Sequence, residues 1–288
     1  MASTTKEVLS DLSPIIKVYT DGTVERLIGS PHVPPSPEDP TTGVSSKDTT
    51  ISPTLSARLH LPKLTHSTQK LPILVYYHGG GFCIESAFSF FDHRYEPLIR
   101  RIRSSGCVHR VPSRSRTPLP AAYEDSWDAL KWRRRNIAHN VALRAGSESL
   151  PGNVKILGAI LSHPYFWGSN PVGNEPKEDI EQNLVYRLWL FVYPSAPGGI
   201  DNPLINPLAD GAPSLAGLGC SKIIVCLAEK DLLTARGLVY VEEVKKSGWK
   251  GEVEVVEIEG EDHCFHLFDP HTEKANNLIK RLASFISH

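Results

Sequence analysis

The sequence predicts an α/β fold with a mostly parallel, doubly wound sheet, built as one large domain. Two observations support this prediction: short apolar runs that suit buried strands recur along the chain, and segments with helical periodicity lie between them. A chain of 288 residues with 40% apolar residues can bury a substantial core, and nothing in it divides cleanly into two halves.

Four apolar runs are predicted to be strands. The first extends from Leu71 to Tyr77 and leads into three glycines, as a buried strand feeding a tight loop would. The others extend from Lys155 to Ser162, from Lys222 to Ala228 and from Glu252 to Ile258, and each is followed by turn or polar residues. Strands are therefore expected along most of the chain.

Helical spacing occurs between and after these runs. The apolar faces comprise Tyr123, Trp127 and Leu130; then Ile137, Ala138, Val141, Ala142 and Ala145, closed by Gly146; and finally Ala275, Leu278, Ile279, Leu282 and Ile286. The aromatic segment from Asp179 to Tyr193 is predicted to form a helical cap over a pocket.

The first 70 residues are expected to form an N-terminal arm and the first strands, ahead of a main unit at 71–288 within the single domain. Residues from Gly29 to Pro53 are rich in Pro, Ser, Thr and Asp and show no helical or strand period. This composition predicts an ordered surface arm or a loose linker outside the core.

The charges nearly cancel, with 31 basic and 32 acidic residues. This balance removes the electrostatic reason to expect nucleic acid or an anionic membrane as a partner, and a small neutral molecule fits better. The segment from Met1 to Val18 has no apolar core of a signal peptide, and no stretch approaches the roughly 18 apolar residues of a membrane span. We therefore expect a soluble protein of the cytoplasm.

The chain has five cysteines, an odd number without metal-ligand spacing. They are Cys83, Cys107, Cys220, Cys226 and Cys264. They are interpreted as buried or free thiols rather than as a disulfide framework, and neither a metal site nor a cofactor is predicted.

The strongest motif is the run from His78 through Gly79, Gly80 and Gly81 to Phe82, directly after the first predicted strand. Three glycines let the backbone bend so that its N–H groups converge on a developing oxyanion. The alternative is a plain glycine turn. The histidine, the flanking aromatic residues and the preceding strand favour an oxyanion loop.

An acid and a histidine follow two later predicted strands. Asp231 comes soon after the run ending at Ala228, and His263 lies 32 residues further on, after the run ending at Ile258. Alone, Asp231 could equally be a surface-loop aspartate. Together, acid and histidine at the carboxyl edge of a sheet suit a catalytic pair, in the chain order of α/β-hydrolases. His266 lies nearby, but His263 is preferred because it comes first after the strand.

Five segments carry a family resemblance: HGGGF, PLPAAYEDSWDALKW, NIAHNVALRAG, LAEKD and EDHCFHLF. They resemble the plant carboxylesterases of the hormone-sensitive-lipase group of α/β-hydrolases, relatives of the gibberellin receptors, and the resemblance covers nearly the whole chain. It implies a cytosolic hydrolase of short acyl or aryl esters with a Gly-Asp-Ser-Ala-Gly elbow. Carried over, Asp231 is the acid, His263 the base, and His78 to Gly81 the oxyanion loop.

The chain departs from this pattern at the nucleophile. No serine has glycines at both −2 and +2, so the G-x-S-x-G elbow is absent. In the family, the elbow stands just before the segment that resembles Asn136 to Asn140, but here Trp132 runs straight into Arg133, Arg134 and Arg135. A strand and its turn are therefore missing from the sequence.

A shifted reading frame accounts for this departure. Family-like codons for Thr-Glu-Tyr-Arg-Leu-Ala-Pro-Glu-His, read one base out of frame, give the run His109 to Arg116, and codons for Ser-Ala-Gly-Ala similarly give Arg133 to Arg135. The alternative is a solvated basic loop. However, there is no acid between Glu96 and Glu124, and buried arginines would cost several kcal/mol each. We therefore expect two damaged central strands and poor packing around them.

Two functions remain open from the sequence. In one, the chain comes from an esterase lineage and is inactive as written because it lacks the serine. In the other, it is a non-catalytic, hormone-like binding protein. The retained His263 counts against the second, because the related receptors are expected to lack this histidine while keeping the serine.

Overall fold

The computed structural model of the protein describes residues 6–52, 55–64, 66, 71–102, 105–109 and 138–287. The strands are β1 (Val8–Leu12), β2 (Ile16–Tyr19), β3 (Val24–Arg26), β4 (Ser45–Ser52), β5 (Leu55–Leu61), β6 (Ile73–Tyr77), β7 (Ser105–His109), β8 (Gly158–Ser162), β9 (Lys222–Ala228) and β10 (Glu252–Ile258). The α-helices are α1 (Phe90–His93), α2 (Glu96–Ile102), α3 (Ala138–Ser147), α4 (Leu184–Val192), α5 (Thr234–Lys246), α6 (Phe265–Phe268) and α7 (Glu273–Ser287).

Strand β9 is the centre of a three-stranded parallel sheet, paired with β8 on one side and β10 on the other. Its residues from Ile223 to Ala228 are all buried, as expected for a parallel strand covered on both faces. The predicted strands at 222–228 and 252–258 are confirmed, and the run from Lys155 forms a strand only from Gly158.

Helices cover both faces of this sheet, so the predicted doubly wound arrangement is confirmed. Alternate β9 side chains point to opposite faces, because successive residues of a strand do so. Val225 packs on the face of α3 and α5, whereas Ile224 packs on the face of α2 and α7. The predicted C-terminal helix is α7, with Ala275, Leu278 and Leu282 buried.

A second sheet has the order β4-β5-β7-β6, with β6 parallel to β7 and the other pairs antiparallel. Strands on both sides of residue 70 therefore share this sheet. The segment from Gly29 to Pro53, interpreted as a surface arm or a loose linker, contains β4, which pairs with β5. Because β4 is an edge strand rich in polar residues, it lacks the apolar alternation by which a half-buried strand is recognised.

Residues of β6 and of β8 line one common cavity. Within the described residues, β6 pairs only with β7 and β8 pairs only with β9. Of the two central strands predicted to be damaged, one is partly formed: β7 extends over Ser105–His109. The rest of this region, including the predicted helical face at Tyr123, Trp127 and Leu130, lies outside the described residues.

Gly146 does not end its helix, as the sequence suggested, because α3 continues to Ser147. A Cβ at Gly146 would lie 1.7 Å from the carbonyl oxygen of Gly217. The glycine is therefore required for close packing of the helix backbone on the loop at 217–219. The backbone N–H of Gly219 donates to Ala142 in the same contact, at 2.6 Å.

The predicted helical cap is α4, which begins at Leu184 and is preceded by a single 3-10 turn. Asn183 caps the helix by accepting a hydrogen bond from the N–H of Val185, at 2.8 Å. Trp189 and Leu188 pack in one cluster with Leu12 of the small antiparallel sheet β1–β3. The N-terminal strands therefore hold the cap over the body of the protein.

Cys83, Cys220, Cys226 and Cys264 are free thiols, and the first three are buried. In the part of the chain that the structure describes, every helix is too short or too polar to cross a membrane.

Arg236 of α5 forms a buried ion pair with Glu175 in the loop after β8. Its guanidinium donates to both carboxylate oxygens, at 2.6 and 2.8 Å, and to the carbonyl oxygens of Gly168 and Asn170, at 3.0 and 2.8 Å. The pair thus holds the loop after β8 against the helix that follows β9.

Replacing Arg236 by Met is expected to lower the free energy of unfolding by about 3–5 kcal/mol, because it leaves a buried, uncompensated carboxylate at Glu175. Adding Glu175→Leu should recover most of the loss. Urea denaturation of the single and the double variant measures the loss of stability and its recovery. As a control, Lys246→Met breaks an exposed pair with Glu243 and should have little effect. Equal losses at Arg236 and Lys246 would contradict the assigned role of the buried pair.

Candidate active site

Asp231 lies at the exit of β9, at the start of the turn that leads into α5. Its N–H donates to the carbonyl oxygen of Ala228 at 2.9 Å, and its Oδ1 accepts from the N–H of Leu233 at 3.0 Å. The side chain is 5% exposed. The local turn thus orients Asp231 and leaves Oδ2 for a partner on another strand exit.

That partner is His263, in the loop after β10. Its Nδ1–H donates to Asp231 Oδ2 at 2.7 Å. The two loops are also joined through their backbones, because the N–H of Lys230 donates to the carbonyl oxygen of Glu261 at 2.9 Å. The structure therefore brings together the acid and the histidine that the sequence placed on separate strand exits. With Nδ1 committed to Asp231, Nε2 remains for proton transfer.

The pair is strongly coupled electrostatically. Burial favours the protonated carboxyl of Asp231, but hydrogen bonds from His163 and His263 outweigh it and hold the pKa of Asp231 well below its ordinary value. Burial lowers the pKa of His263, whereas its hydrogen bonds to Asp231 and to the Cys264 thiol raise it, so that this pKa is about 10. At neutral pH the pair is thus an imidazolium carboxylate.

Sequence reasoning missed His163, at the exit of β8. Its ring is fully buried, and its Nδ1 lies 3.3 Å from Asp231 Oδ2, so two histidines flank one carboxylate oxygen. Burial lowers the pKa of His163, and this ring is therefore neutral. A signal did exist: His163 directly follows an apolar strand, at the same edge of the parallel sheet as Asp231.

His266, the alternative base, is hydrogen-bonded to a residue outside the acid–histidine pair. The Tyr95 hydroxyl and His266 Nε2 are hydrogen-bonded at 2.8 Å, and the ring is buried. Burial lowers the pKa of His266 to about 3. Its ring stacks on His163, with centroids 5.7 Å apart. The preference for His263 over His266 therefore agrees with the geometry.

The glycine loop follows β6 and coils tightly. The N–H groups of Cys83 and Ile84 both donate to the carbonyl oxygen of Gly80, at 3.0 Å. Gly80 and Gly81 have φ values of +98° and +54°, and a Cβ at Gly80 would lie 2.2 Å from the carbonyl oxygen of Ile84. The glycines are thus required by this conformation.

The N–H groups of Gly79, Gly80 and Gly81 donate to no acceptor among the described residues. The carbonyl oxygen of Gly79 lies 2.8 Å from Nδ1 of His78. This loop can therefore present N–H donors to an oxyanion.

One large cavity of about 2220 Å³ connects the glycine loop with the acid and histidine. Its lining includes His78, Gly79, Asp231 and His263, together with apolar side chains of β6, β8 and α4. The predicted position of the missing nucleophile, before Asn136, lies outside the described residues.

Comparison with known proteins supports the fold and the family. A family model described as alpha/beta hydrolase fold matches residues 74–136 and 135–267, in two pieces. A 2-hydroxyisoflavanone dehydratase of Glycyrrhiza echinata is 51% identical over 321 residues, covering 99% of this chain and 98% of that protein. The Arabidopsis thaliana protein named Probable carboxylesterase 2 is 42% identical over 317 residues, covering 100% of this chain and 99% of that protein.

Among solved structures, a Pyrobaculum calidifontis esterase superposes with a TM-score of 0.64 at 24% identity, covering 85% of this chain and 84% of that one, and supports the fold. The alignment with the dehydratase is longer than this chain, at 321 against 288 residues. At least 33 positions of that alignment therefore have no residue in this chain. The break in the family match falls at 135–136.

The Asp231–His263 pair predicts a specific pH dependence. Because the folded-state pKa of His263 lies above its ordinary value near 6.5, its stabilising contribution is complete below about pH 6.5 and is lost as pH rises through about 10. Side-chain NMR should detect imidazolium at His263 well above neutral pH. His266 should stay neutral over the same range as an internal reference. In Asp231→Asn, the pKa of His263 should fall; an unchanged value would contradict the assigned pairing.

Proposed function

This chain belongs to the α/β-hydrolase family, in the group of plant carboxylesterases related to hormone-sensitive lipase, and we propose that it derives from an esterase and has lost the nucleophile. The substrates of the intact lineage are proposed to be short acyl or aryl carboxylic esters. One observation carries the proposal: the acid, the histidine and the glycine loop line one cavity, while the sequence has no G-x-S-x-G serine.

In an intact esterase of this type, the serine oxygen attacks the ester carbonyl and histidine takes the serine proton. The aspartate holds the histidine tautomer, and backbone N–H groups stabilise the oxyanion. The 2.7 Å hydrogen bond between His263 and Asp231 supports the role of the aspartate in holding the histidine. The N–H groups of Gly79, Gly80 and Gly81 support stabilisation of the oxyanion. The neutral form of His263 is the base, so this chemistry is favoured at higher pH.

A coding lesion remains our explanation for the missing serine. Two observations support it: the family match is split at 135–136, and the alignment with the dehydratase has at least 33 positions without a residue in this chain. The decisive observation is the genomic sequence between the codons for Trp132 and Asn136. A transcript that carries the present reading frame intact, at ordinary expression levels, would count against a lesion. A cytoplasmic location also remains a proposal.

A second candidate function is dehydration, favoured by the 51% identity to a 2-hydroxyisoflavanone dehydratase. Eliminating water from a β-hydroxy ketone needs a base to remove the proton beside the carbonyl and donors to hold the enolate oxygen. The hydroxyl then leaves, with a proton, as water. His263 and the glycine loop could supply both functions, and this reaction does not need an acyl-accepting serine. Non-catalytic binding of a hormone-like molecule is the remaining alternative.

Ester hydrolysis tests the main proposal. The chain as written should be nearly inert on p-nitrophenyl acetate, since triads without a nucleophile keep only roughly 10³ to 10⁴-fold acceleration over water, about a million-fold below full activity. Turnover should return after a double repair, with a Gly-Asp-Ser-Ala-Gly segment before Asn136 and an in-frame strand in place of residues 109–116. Either repair alone should not suffice.

A fluorophosphonate probe, which labels only an activated serine, provides the control. It should label the repaired chain and not the chain as written. Comparable labelling or hydrolysis by the unrepaired chain would mean that another residue is the nucleophile. Activity of the repaired chain that survives His263→Ala would overturn the assignment of the base.

Dehydration is tested on the chain as written. Conversion of 2-hydroxyisoflavanone, followed by chromatography, should exceed the spontaneous rate and rise with pH, because His263 must be neutral to act as base. His263→Ala should abolish the acceleration, whereas His271→Ala, at an exposed position, should not. If neither the pH dependence nor the His263 dependence is observed, dehydration is not the function.

A further inference from the structure

Three side chains of metal-binding types meet outside the candidate active site, where the loop before β4 approaches the start of α2. Asp39 belongs to that loop, His93 ends α1 and Glu96 begins α2. One ligand atom from each of them lies within 4.8 Å of the other two. None of the three lines the cavity that contains Asp231 and His263. The Asp39–His93–Glu96 cluster is therefore separate from the acid–histidine pair.

Glu96 is buried, and its two carboxylate oxygens have different neighbours. Oε1 lies 3.1 Å from Nδ1 of His60 on β5 and 3.1 Å from Nδ1 of His93. Oε2 lies 3.0 Å from the hydroxyl oxygen of Thr42. Burial favours the protonated carboxyl, but the contacts with His60 and His93 outweigh it and hold the pKa of Glu96 at about 2. Glu96 is therefore a carboxylate at neutral pH, which is the form that binds a metal ion.

Asp39 is held in place by its own turn. Its Oδ1 accepts from the N–H groups of Thr41 and Thr42, at 2.9 and 2.7 Å, and lies 2.9 Å from the Thr42 hydroxyl oxygen. Oδ2 lies 3.7 Å from Nε2 of His93. The Thr42 hydroxyl has one proton and lies between two carboxylates, so it can donate to only one of them. Two carboxylates are thus brought together around a single hydroxyl proton.

The negative charge of the cluster favours a cation. Nδ1 of His93 is buried and close to Glu96 but not at a hydrogen-bonding angle, so it has no hydrogen-bond partner among the described residues. Arg58, whose charge acts on His93, is bonded to Asp48 at 2.7 and 3.0 Å. Balancing the two carboxylates with protons would require two charged imidazoles, whereas one divalent cation is sufficient.

We propose that the Asp39–His93–Glu96 cluster is a zinc site that fastens the loop before β4 to the start of α2. One imidazole and two carboxylates are ligands that Zn²⁺ accepts at about 2.0–2.2 Å, whereas Mg²⁺ and Ca²⁺ prefer oxygen ligands alone. Ligand atoms around a tetrahedral zinc are about 3.3 Å apart, so closing the cluster needs a movement of about 1.5 Å at most. His60 and Thr42 hold Glu96, as hydrogen-bond partners hold ligating carboxylates in metal sites.

The cluster is accessible from one side. The side chains of Asp39 and His93 are 17% and 21% exposed, whereas that of Glu96 is 1% exposed. An ion can enter past Asp39 and His93, and a water molecule completes the tetrahedral shell there. Bound zinc would stabilise the folded chain, because a ligand that binds only the folded state raises its stability. This site does not depend on the proposed function.

Zinc binding is measured on the full chain by isothermal titration calorimetry with ZnCl₂. We expect one ion at this cluster and a rise in melting temperature that EDTA reverses; MgCl₂ should give no rise. Asp39→Asn keeps an oxygen for the turn but removes the charge, and it should weaken zinc binding at least about a hundredfold. Thr42→Val should weaken it about tenfold, within the range of losses seen when a group that holds a ligand is removed.

Two control variants separate this cluster from other histidines. His271→Gln, at an exposed position, should bind zinc as the unmodified chain does. His263→Gln alters the second group with metal-ligand geometry, which also contains His163 and Asp231, and should leave the affinity unchanged. If His263→Gln abolishes binding while Asp39→Asn does not, zinc binds at the acid–histidine pair and the proposal is wrong.

Two measurements on the unmodified chain locate the ion without any substitution. In histidine-ring NMR, ZnCl₂ should shift a ring nitrogen of His93 and leave those of His271 in place. X-ray absorption at the zinc edge should show nitrogen and oxygen neighbours at about 2.0–2.2 Å and no sulfur at about 2.3 Å, which excludes the cysteines. A zinc-independent His93 spectrum, a sulfur neighbour, or equal zinc affinities of Asp39→Asn and the unmodified chain would overturn the proposal.

Discussion

The pairing of β9 with strands on both sides is the constraint on which the candidate site depends. Because β8, β9 and β10 are parallel and in register, their exits lie side by side at one edge of the sheet. His163, Asp231 and His263 follow these three strands in that order. Strand pairing thus makes neighbours of three residues that are far apart in sequence.

The sequence was most informative where a single physical rule governed an element. β9 is rich in apolar residues because both faces of this strand are covered. α7 has a clear apolar stripe at helical spacing because only one face of this helix is buried. The acid and histidine could be located because strand exits are where such groups meet. β4 could not be recognised, since a polar edge strand is stabilised by its ladder rather than by burial.

The roles of Gly146 and His163 could not be predicted from local sequence patterns, because they depend on contacts with residues far away in the sequence. Gly146 was interpreted as a helix terminus, but the residue is explained by the backbone of Gly217 pressed against it. His163 was overlooked because its neighbour Asp231 is 68 residues away. The sequence shows the departure at the nucleophile only as the absence of a G-x-S-x-G motif. The structure adds that the apolar strands β6 and β8 line one cavity and that, among the described residues, each pairs on one side only.

The packing of α2 on α7 has a mechanical consequence. Leu98 and Ile102 of α2 share a cluster with Leu278 and Leu282 of α7, and the same cluster includes Ile224 and Cys226 of β9. Such packing is non-directional. The hydrogen bond between Tyr95, just before α2, and His266 adds a directional contact to the segment that follows His263. A substitution that shifts α2 would therefore also displace the loop that carries the histidine of the pair.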